Sequence, residues 1–135
     1  MKKWVILIVA FALTFMLCAC GGNVKSAEIV PMDSEIYSQK DIDAAIKTAT
    51  RFFASKFSGC TLKVIRYIGD ECAQDFDERA AQHNADEAIV LISSFDVDSS
   101  GGDGSLNPNS TYTNWQWVLV RDAGGSWRHV DHGYG

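Results

Sequence analysis

The chain has 135 residues and a formal net charge of −5, from 17 acidic and 12 basic side chains. This length suits one globular domain. Nucleic acids and anionic lipids are bound by clusters of Lys and Arg, which this acidic sequence lacks, so neither is an expected partner.

The N-terminal segment has the composition of an export signal. Met1–Lys3 is a short cationic start, and residues 4–17 carry no charge. The apolar run is shorter than the roughly 20 residues that a transmembrane helix needs, and it ends in Gly21–Gly22. A cationic start, an apolar core and small residues at the exit are typical of a secretory signal peptide.

The end of this run, Leu17-Cys18-Ala19-Cys20, resembles the lipobox of bacterial lipoproteins. The resemblance implies a signal peptide over residues 1–19 and a diacylglyceryl group on the Cys20 sulfur. Two acyl chains hold a protein on a bilayer, because each buried methylene contributes about 0.8 kcal/mol and one chain binds only reversibly. We therefore expect a protein with a net charge of −7 after cleavage, lipid-anchored on the extracytoplasmic face of the cell membrane.

Residues 20–37 follow the lipobox with small and polar residues that show no periodicity, and they include Pro31. Such composition is typical of a flexible linker. The sequence therefore predicts that a lipidated tether over 20–37 holds a single domain, residues 38–135, away from the membrane.

An amphipathic helix is predicted to begin at Ser38, because Ser38 and Asp41 have the spacing of a capping box with Asp in place of Glu. Ser58-Gly59 supplies its end. Its apolar residues lie on one stripe, which predicts a face packed on a sheet: Ile42, Ala45, Ile46, Ala49, Phe53 and Phe57.

A weaker second helix is predicted over residues 71–83 from the helical spacing of Cys72, Phe76 and Ala80, with Asn84 as a left-handed stop. Cys60 and Cys72 in an exported protein normally suggest a disulfide. The strand predicted between them spans about 23 Å, whereas a bridge needs Cα atoms within about 7 Å. A sharp reversal would still allow the bridge; the spacing favours two free, buried thiols.

Four strands are predicted from runs of β-branched and aromatic residues over 62–68, 88–97, 111–121 and 126–132. The second is apolar enough to be a central strand that is buried on both faces. A Gly-rich loop over 98–110 and a hairpin loop over 122–125 connect the last three strands. The order helix, strand, helix and three strands predicts an α+β fold, with two helices covering one face of a mostly antiparallel, four-stranded sheet.

The segment from Asp96 to Pro108, with Asn114–Trp117 and Trp127–Asp131, resembles small lipoproteins of Gram-positive bacteria that carry a domain of unknown function. The order of elements is similar to the fold of nuclear transport factor 2, in which a curved sheet wraps helices around a pocket. Cystatin-like folds share much of this outline. The resemblance implies a cone-like domain with a ligand pocket, and it brings no activity and no catalytic residue.

Within the long loop, Asp96, Asp98 and Ser100 have the spacing of the first three ligands of an EF-hand. Position twelve is Asn107 rather than a bidentate Glu. A weak calcium site on these three residues and a loop closed by Asx-turns both stay open, and no other cofactor is expected. Because ordered loops of this length are uncommon unless they bind something, we expect any local function in residues 96–110.

A regular hairpin that pairs Arg121 with Ser126 would place four polar residues on one sheet face: Asn114, Gln116, His129 and Asp131. They could orient a ligand, or His129 and Asp131 could serve as acid and base; a merely polar surface is the other interpretation. The same register separates His129 from His132, which disfavours a transition-metal site.

That register also places Trp127 on the face away from Trp115 and Trp117. Trp115 and Trp117 are candidates for ligand contact or for an exposed docking patch, although core packing is the commoner role. Three functions therefore stay open: a module that binds a small ligand or an envelope protein, a small hydrolase or isomerase using His129 and Asp131, and a structural lipoprotein of the cell envelope. The binding module is favoured because the sequence has no recognised catalytic motif.

Overall fold

The computed structural model describes residues 21–134. The predicted signal peptide, the predicted lipidation site Cys20 and Gly135 lie outside the described residues. The described elements are β1 (Glu28–Ile29), α1 (Gln39–Lys56), β2 (Cys60–Tyr67), a 3₁₀ turn (Asp70–Cys72), α2 (Phe76–Gln82), β3 (Glu87–Val97), β4 (Thr111–Arg121) and β5 (Arg128–Tyr134). The predicted α+β class is confirmed.

Five strands form one sheet in the order β1-β2-β3-β4-β5. Strands β2 to β5 are antiparallel neighbours, as predicted, and β1 pairs in parallel with β2. The prediction of four strands is therefore wrong by one. Strand β1 is only two residues long, which is too short for any periodicity to reveal it.

Helix α1 confirms the sequence prediction at both ends and along its buried face. The Ser38 hydroxyl accepts a hydrogen bond from the Asp41 amide at 3.1 Å, and the helix ends at Lys56, just before the left-handed Gly59. All but the last of the predicted stripe residues are buried, and the Phe53 ring lies 6.2 Å from that of Trp117. The helix therefore packs on the sheet face that carries Trp117.

The N-terminal end of α1 is fixed to the sheet by Arg121. Its guanidinium lies 2.9 Å from the Asp41 carboxylate, contacts the Glu87 carboxylate, and lies over the Trp127 ring at 4.2 Å. The Trp127 indole donates to the Asp41 carbonyl at 3.0 Å. Trp127 therefore lies on the α1 side with Trp117, and its predicted placement on the opposite face is wrong.

Helix α2 is shorter than predicted, because a 3₁₀ turn and an irregular stretch replace its first half. Phe76 and Ala80 are buried as predicted, and Asn84 has the left-handed conformation, with φ of 54°. Cys72 is exposed and Cys60 is buried, and both are free. The interpretation of two unbridged thiols is confirmed, and the predicted burial of Cys72 is wrong.

The two helices do not cover a single face of the sheet. Helix α2 contacts β3, and its Arg79 lies beside Val90 and Gln116. Side chains alternate between faces along a strand, so Val90 and Gln116 point away from the face that carries Leu91 and Trp117. The prediction of two helices on one face is therefore corrected.

Residues 21–29 are docked on the domain rather than forming a free tether. The Asn23 amide donates to the Cys60 carbonyl, and the Leu62 amide donates to the Asn23 carbonyl, both at 2.9 Å. Strand β1 then continues along the edge of β2. Gly21 lies against α1 so closely that a Cβ atom there would come within 1.5 Å of the Ala54 carbonyl oxygen.

Residues 34–37 complete this docking at the other end of the sheet. The Asp70 carboxylate accepts hydrogen bonds from the Ser34 hydroxyl and the Glu35 amide, both at 2.7 Å. The Tyr37 ring is buried, and its hydroxyl donates to the Ala88 carbonyl. The flexible linker predicted over residues 20–37 is therefore wrong for the part of it that the structure describes.

Candidate functional site

A cleft of about 310 Å³ opens at the end of the domain where α1 ends and β2 begins. Its walls come from the last turn of α1, the β3–β4 loop and the adjoining parts of β4 and β5. The apolar lining consists of Phe52, Phe57, Leu106 and Trp115, and charged or ionisable groups from Lys56, Asp103 and His132 stand among them. Such a mixture of apolar walls and few polar groups is typical of small-molecule sites.

The aromatic wall is held by ring-to-ring packing. Phe57 meets Trp115 edge-on, with ring centroids 6.1 Å apart, and Phe52 meets Phe57 at 6.3 Å. Trp115 in turn stacks on the His132 ring at 5.8 Å. Offset and edge-to-face pairs are the favoured aromatic geometries, so these contacts stabilise the arrangement of rings in the wall.

Trp115 carries an indole N–H that lacks a protein partner. The residue is 8% exposed, and its Nε1 is the single buried side-chain nitrogen or oxygen atom without a hydrogen bond in residues 21–134. Trp117, two residues along the same strand, instead donates to the Ser93 hydroxyl at 2.8 Å. A buried unpaired donor costs about 1–3 kcal/mol. Trp115 lines the cleft but its Nε1 is covered from solvent in this conformation, so an acceptor atom of a ligand would pair with it only after neighbouring side chains move.

The β3–β4 loop is closed by its own hydrogen bonds. The Asp98 carboxylate accepts from the Ser100 hydroxyl and from its amide at 2.9 Å, and Asp103 accepts from Ser105 in the same way. These donors lower the pKa of both carboxyl groups. Gly102, Asp103, Ser105 and Leu106 line the cleft, so the segment expected to carry a local function does contribute to it.

The predicted calcium ligands are engaged within the protein. Asp96 accepts from the Thr111 hydroxyl at 2.7 Å across the β3–β4 pair, while Asp98 and Ser100 bond to each other. In the described part of the chain, no three acidic, His or Cys side chains cluster as a metal site would require. The geometry favours the Asx-turn interpretation of this loop.

The β4–β5 hairpin departs from the predicted register. His129 pairs with Leu119 and Asp131 pairs with Val118, so Val130 is an extra residue in β5, a β-bulge. A shift of one residue moves side chains to the other face of a sheet. The predicted register, with Arg121 opposite Ser126, is wrong by one residue already at Val120, which pairs with Arg128, and the polar face that depended on that register is wrong as well.

The other members of the predicted polar set are dispersed. Asp131 is exposed, accepts a hydrogen bond from the His132 amide at 2.9 Å, and lies beside Gln116 on the face away from α1. Asn114 is exposed at a second bulge, with φ of 57°. His129 lies on the α1 side, 4.1 Å from the Phe52 ring. The structure therefore brings neither Asn114 nor Gln116 to the cleft, and it separates His129 from Asp131.

The bulge instead brings His129 and His132 together. Their Nε2 and Nδ1 atoms lie 3.1 Å apart, and the rings stack with centroids 5.1 Å apart. At this distance one nitrogen donates and the other accepts. Partial burial lowers the pKa of both imidazoles, and the neighbouring His132 lowers that of His129 further. Burial therefore favours the neutral form of the His132 ring, which lines the cleft.

Of the two predicted ligand-contacting tryptophans, the structure places one at the cleft. Trp117 is fully buried beneath α1, and only Trp115 reaches the wall. With exposures of 0% and 8%, these residues do not form an exposed docking patch. Trp127 is buried as well, which agrees with the core interpretation for all three.

Cys60 also lines the cleft, but it is not an activated thiol. Burial raises the pKa of Cys60 to about 11, with the nearby Asp98 and Asp103 acting in the same direction. Nucleophilic cysteines need a lowered pKa and a cationic neighbour. The Cys60 side chain therefore acts as a small apolar group in the wall.

Sequence reasoning missed Phe52, Lys56 and Leu106 as cleft residues. One signal was available: Phe52 and Phe53 are adjacent in a helix, and adjacent residues point about 100° apart, so both cannot face the same core. Lys56 and Leu106 carry no comparable signal, because their position depends on how the β3–β4 loop folds over the end of α1.

No protein-family model, curated protein or solved structure matches the chain. Within residues 21–134, neither helix has the length and apolarity to span a membrane.

Proposed function

We propose that this chain is a membrane-anchored, extracytoplasmic lipoprotein whose domain binds a small ligand in the cleft between α1 and the β3–β4 loop. The lipobox-like sequence ending at Cys20 supports the anchor. The observation that carries the binding proposal is the unpaired, buried indole N–H of Trp115 in the wall of an apolar cleft.

The cleft defines the ligand's chemistry. Phe52, Phe57 and Leu106 offer an apolar surface, so the ligand has a flat or flexible apolar part. The unpaired Trp115 N–H calls for a hydrogen-bond acceptor, and the cleft offers one cationic and one anionic side chain, Lys56 and Asp103, to further polar groups of the ligand. A volume of about 310 Å³ is at the lower end of the range for ligand pockets, so the buried part is small.

The position of the cleft is compatible with a fold like that of nuclear transport factor 2, in which a sheet and a helix enclose a pocket. We keep the cone-like fold as part of the proposal. Fold analogy adds little to the assignment of function, because such folds carry many unrelated activities.

The alternatives of a His129–Asp131 enzyme and of a docking role draw less support. An acid–base pair needs both groups within reach of one substrate, and these side chains lie on opposite faces of β5. A docking role would need a contiguous exposed apolar patch at Trp115 or Trp117, and both are buried.

The binding proposal is tested by a thermal-shift screen on the mature chain with Cys20→Ser, using aromatic carboxylates, amides and ketones. A ligand at a hundred times its dissociation constant stabilises by about 2.7 kcal/mol. We expect hits whose shift is lost in Trp115→Phe and retained in Gln116→Ala, a matched control on the other sheet face. A screen without hits would contradict the proposal, and so would hits whose thermal shift is unchanged in Trp115→Phe.

The anchor is tested separately by fractionating cells that express the full chain. The unchanged chain is expected in the membrane fraction, and Cys20→Ser is expected in the soluble fraction. Equal membrane retention of the two proteins would remove the lipoprotein part of the proposal.

A further inference from the structure

We infer that the cleft lies at the membrane surface and takes an amphiphile directly from the bilayer. This inference rests on the proposed function, because it needs lipid on Cys20. It goes further by assigning an orientation to the domain, and a source and a chemical class to the ligand.

The predicted anchor at Cys20 lies only a short chain distance from the folded domain. Asn23 is hydrogen-bonded to Cys60 and Leu62, and Gly21 lies on the backbone of Ala54. Cys20 precedes Asn23 by three residues, which span at most about 11 Å. A free linker of the predicted 18 residues would instead average about 24 Å end to end. The docked N-terminal segment therefore shortens the expected separation between the lipid anchor and the domain by more than half.

The predicted anchor and the cleft lie at the same end of the domain. Cys60, which is bonded to Asn23, is itself a cleft residue. Register places the start of β2, the end of β3 and the start of β4 together at this end. The connection between β4 and β5, residues 122–127, lies at the other end of 11-residue strands, about 36 Å away.

The end of the domain that carries the cleft also exposes an aromatic side chain suited to a membrane interface. The headgroup layer of a bilayer is roughly 5–8 Å deep on each side, comparable with the reach from the anchor. Tyr134, the most exposed of the large hydrophobic residues within 21–134 at 62%, lies here, and its ring centroid is 5.6 Å from that of Trp115. Tyr and Trp favour the interface between membrane and water. The rim of the cleft is therefore suited to contact lipid headgroups.

The ligand class follows from this placement. An amphiphile in the bilayer presents an acyl or aromatic part together with ester or carboxyl acceptors. Phe52 and Phe57 match the apolar part, and the Trp115 N–H matches the acceptor.

Orientation is tested with the full lipidated chain in phosphatidylcholine vesicles. Bimane is attached at Ser105→Cys on the cleft rim or at Ala123→Cys on the far hairpin, each in a Cys72→Ser background. Quenching by spin-labelled phosphatidylcholine is then measured. We expect strong quenching at position 105 and weak quenching at position 123, about 36 Å away.

A matched control inserts a flexible Gly/Ser linker of about ten residues between Cys20 and Gly21, which adds about 17 Å of average reach. It keeps the anchor and the cleft, and it is expected to reduce quenching at position 105. Vesicle flotation is recorded for every variant. Loss of flotation would reject the anchor in the proposed function, whereas flotation with equal quenching at positions 105 and 123 would overturn the orientation alone.

Ligand class is tested by titrating the mature Cys20→Ser protein with monomeric lysophosphatidylcholine and with its water-soluble headgroup, glycerophosphocholine. A rise in melting temperature is expected with lysophosphatidylcholine alone, and it should be lost in Trp115→Phe. Stabilisation by the headgroup alone, or by neither compound, would overturn the assignment of an amphiphile.

Discussion

Replacing Trp117 and Trp115 one at a time with Phe gives a sensitive test of the unpaired N–H. The two residues are two positions apart on β4, point to the same sheet face and lose the same atoms on substitution. They differ in hydrogen bonding: Trp117 donates to Ser93 at 2.8 Å, and Trp115 donates to no protein group.

The expected difference follows from hydrogen-bond energetics. Trp117→Phe loses a net bond of about 1 kcal/mol, whereas Trp115→Phe removes an unpaired donor whose burial costs about 1–3 kcal/mol. The same atoms are lost in the two variants, and because Trp117 is fully enclosed whereas Trp115 borders the cleft, any difference in packing loss acts in the same direction as the hydrogen bond. Trp117→Phe should therefore be less stable than Trp115→Phe by about 2–4 kcal/mol.

The assay is urea denaturation and thermal melting of the unlipidated mature chain. For a domain of this size, each kcal/mol shifts the midpoint by about 4 °C, so the two melting temperatures should differ by about 8–16 °C. Equal destabilisation by the two substitutions would refute the reasoning, because it would mean that the Trp115 N–H carries no energetic penalty without ligand.

Two further predictions concern the His pair and the N-terminal segment. Burial lowers the folded-state pKa of His129 and His132 below the ordinary value of about 6.5, so the stabilisation from their neutral forms is complete above about pH 6.5 and is lost as the pH falls through the folded values. Replacing both with Gln should flatten the decline in urea stability between about pH 7.5 and 5. Parallel curves for the unchanged protein and the double variant would contradict the assignment. The Asp70 carboxylate accepts hydrogen bonds from the Glu35 amide and the Ser34 hydroxyl, so Asp70→Asn should speed hydrogen exchange at the Glu35 amide. Exchange in β3 should stay slow. Unchanged exchange at Glu35 would contradict the docking of this segment.

Long elements with strong patterns could be predicted from sequence. The bounds of β4 match the prediction at both ends, because its aromatic and branched residues are flanked by loop residues. Helix α1 was equally predictable, since a Ser cap and a six-residue apolar stripe agree, and five of the six stripe residues are buried. In both elements, the conformation that the local sequence favours is also the one that packs on the rest of the domain.

The hairpin and the cleft could not be predicted for a specific physical reason. Nothing in the residues around Val130 marks it as a bulge, and one extra residue reverses which side chains meet. His129 and His132 therefore came together against expectation. The cleft itself depends on how the β3–β4 loop lies over Phe57, a contact between segments about 45 residues apart that no local pattern encodes.

The short strand β1 also covers an edge of β2 that could otherwise pair with other chains. Without it and Asn23, the N–H and C=O groups along one side of β2 would be open between Cys60 and Ile65. An uncovered strand edge is a template for pairing with other chains. A soluble fragment cut near Ser34 would lose this cover, and we expect it to aggregate where a fragment starting at Gly21 stays monomeric. The segment that leads to the predicted anchor would thus also cover one side of β2 against self-association.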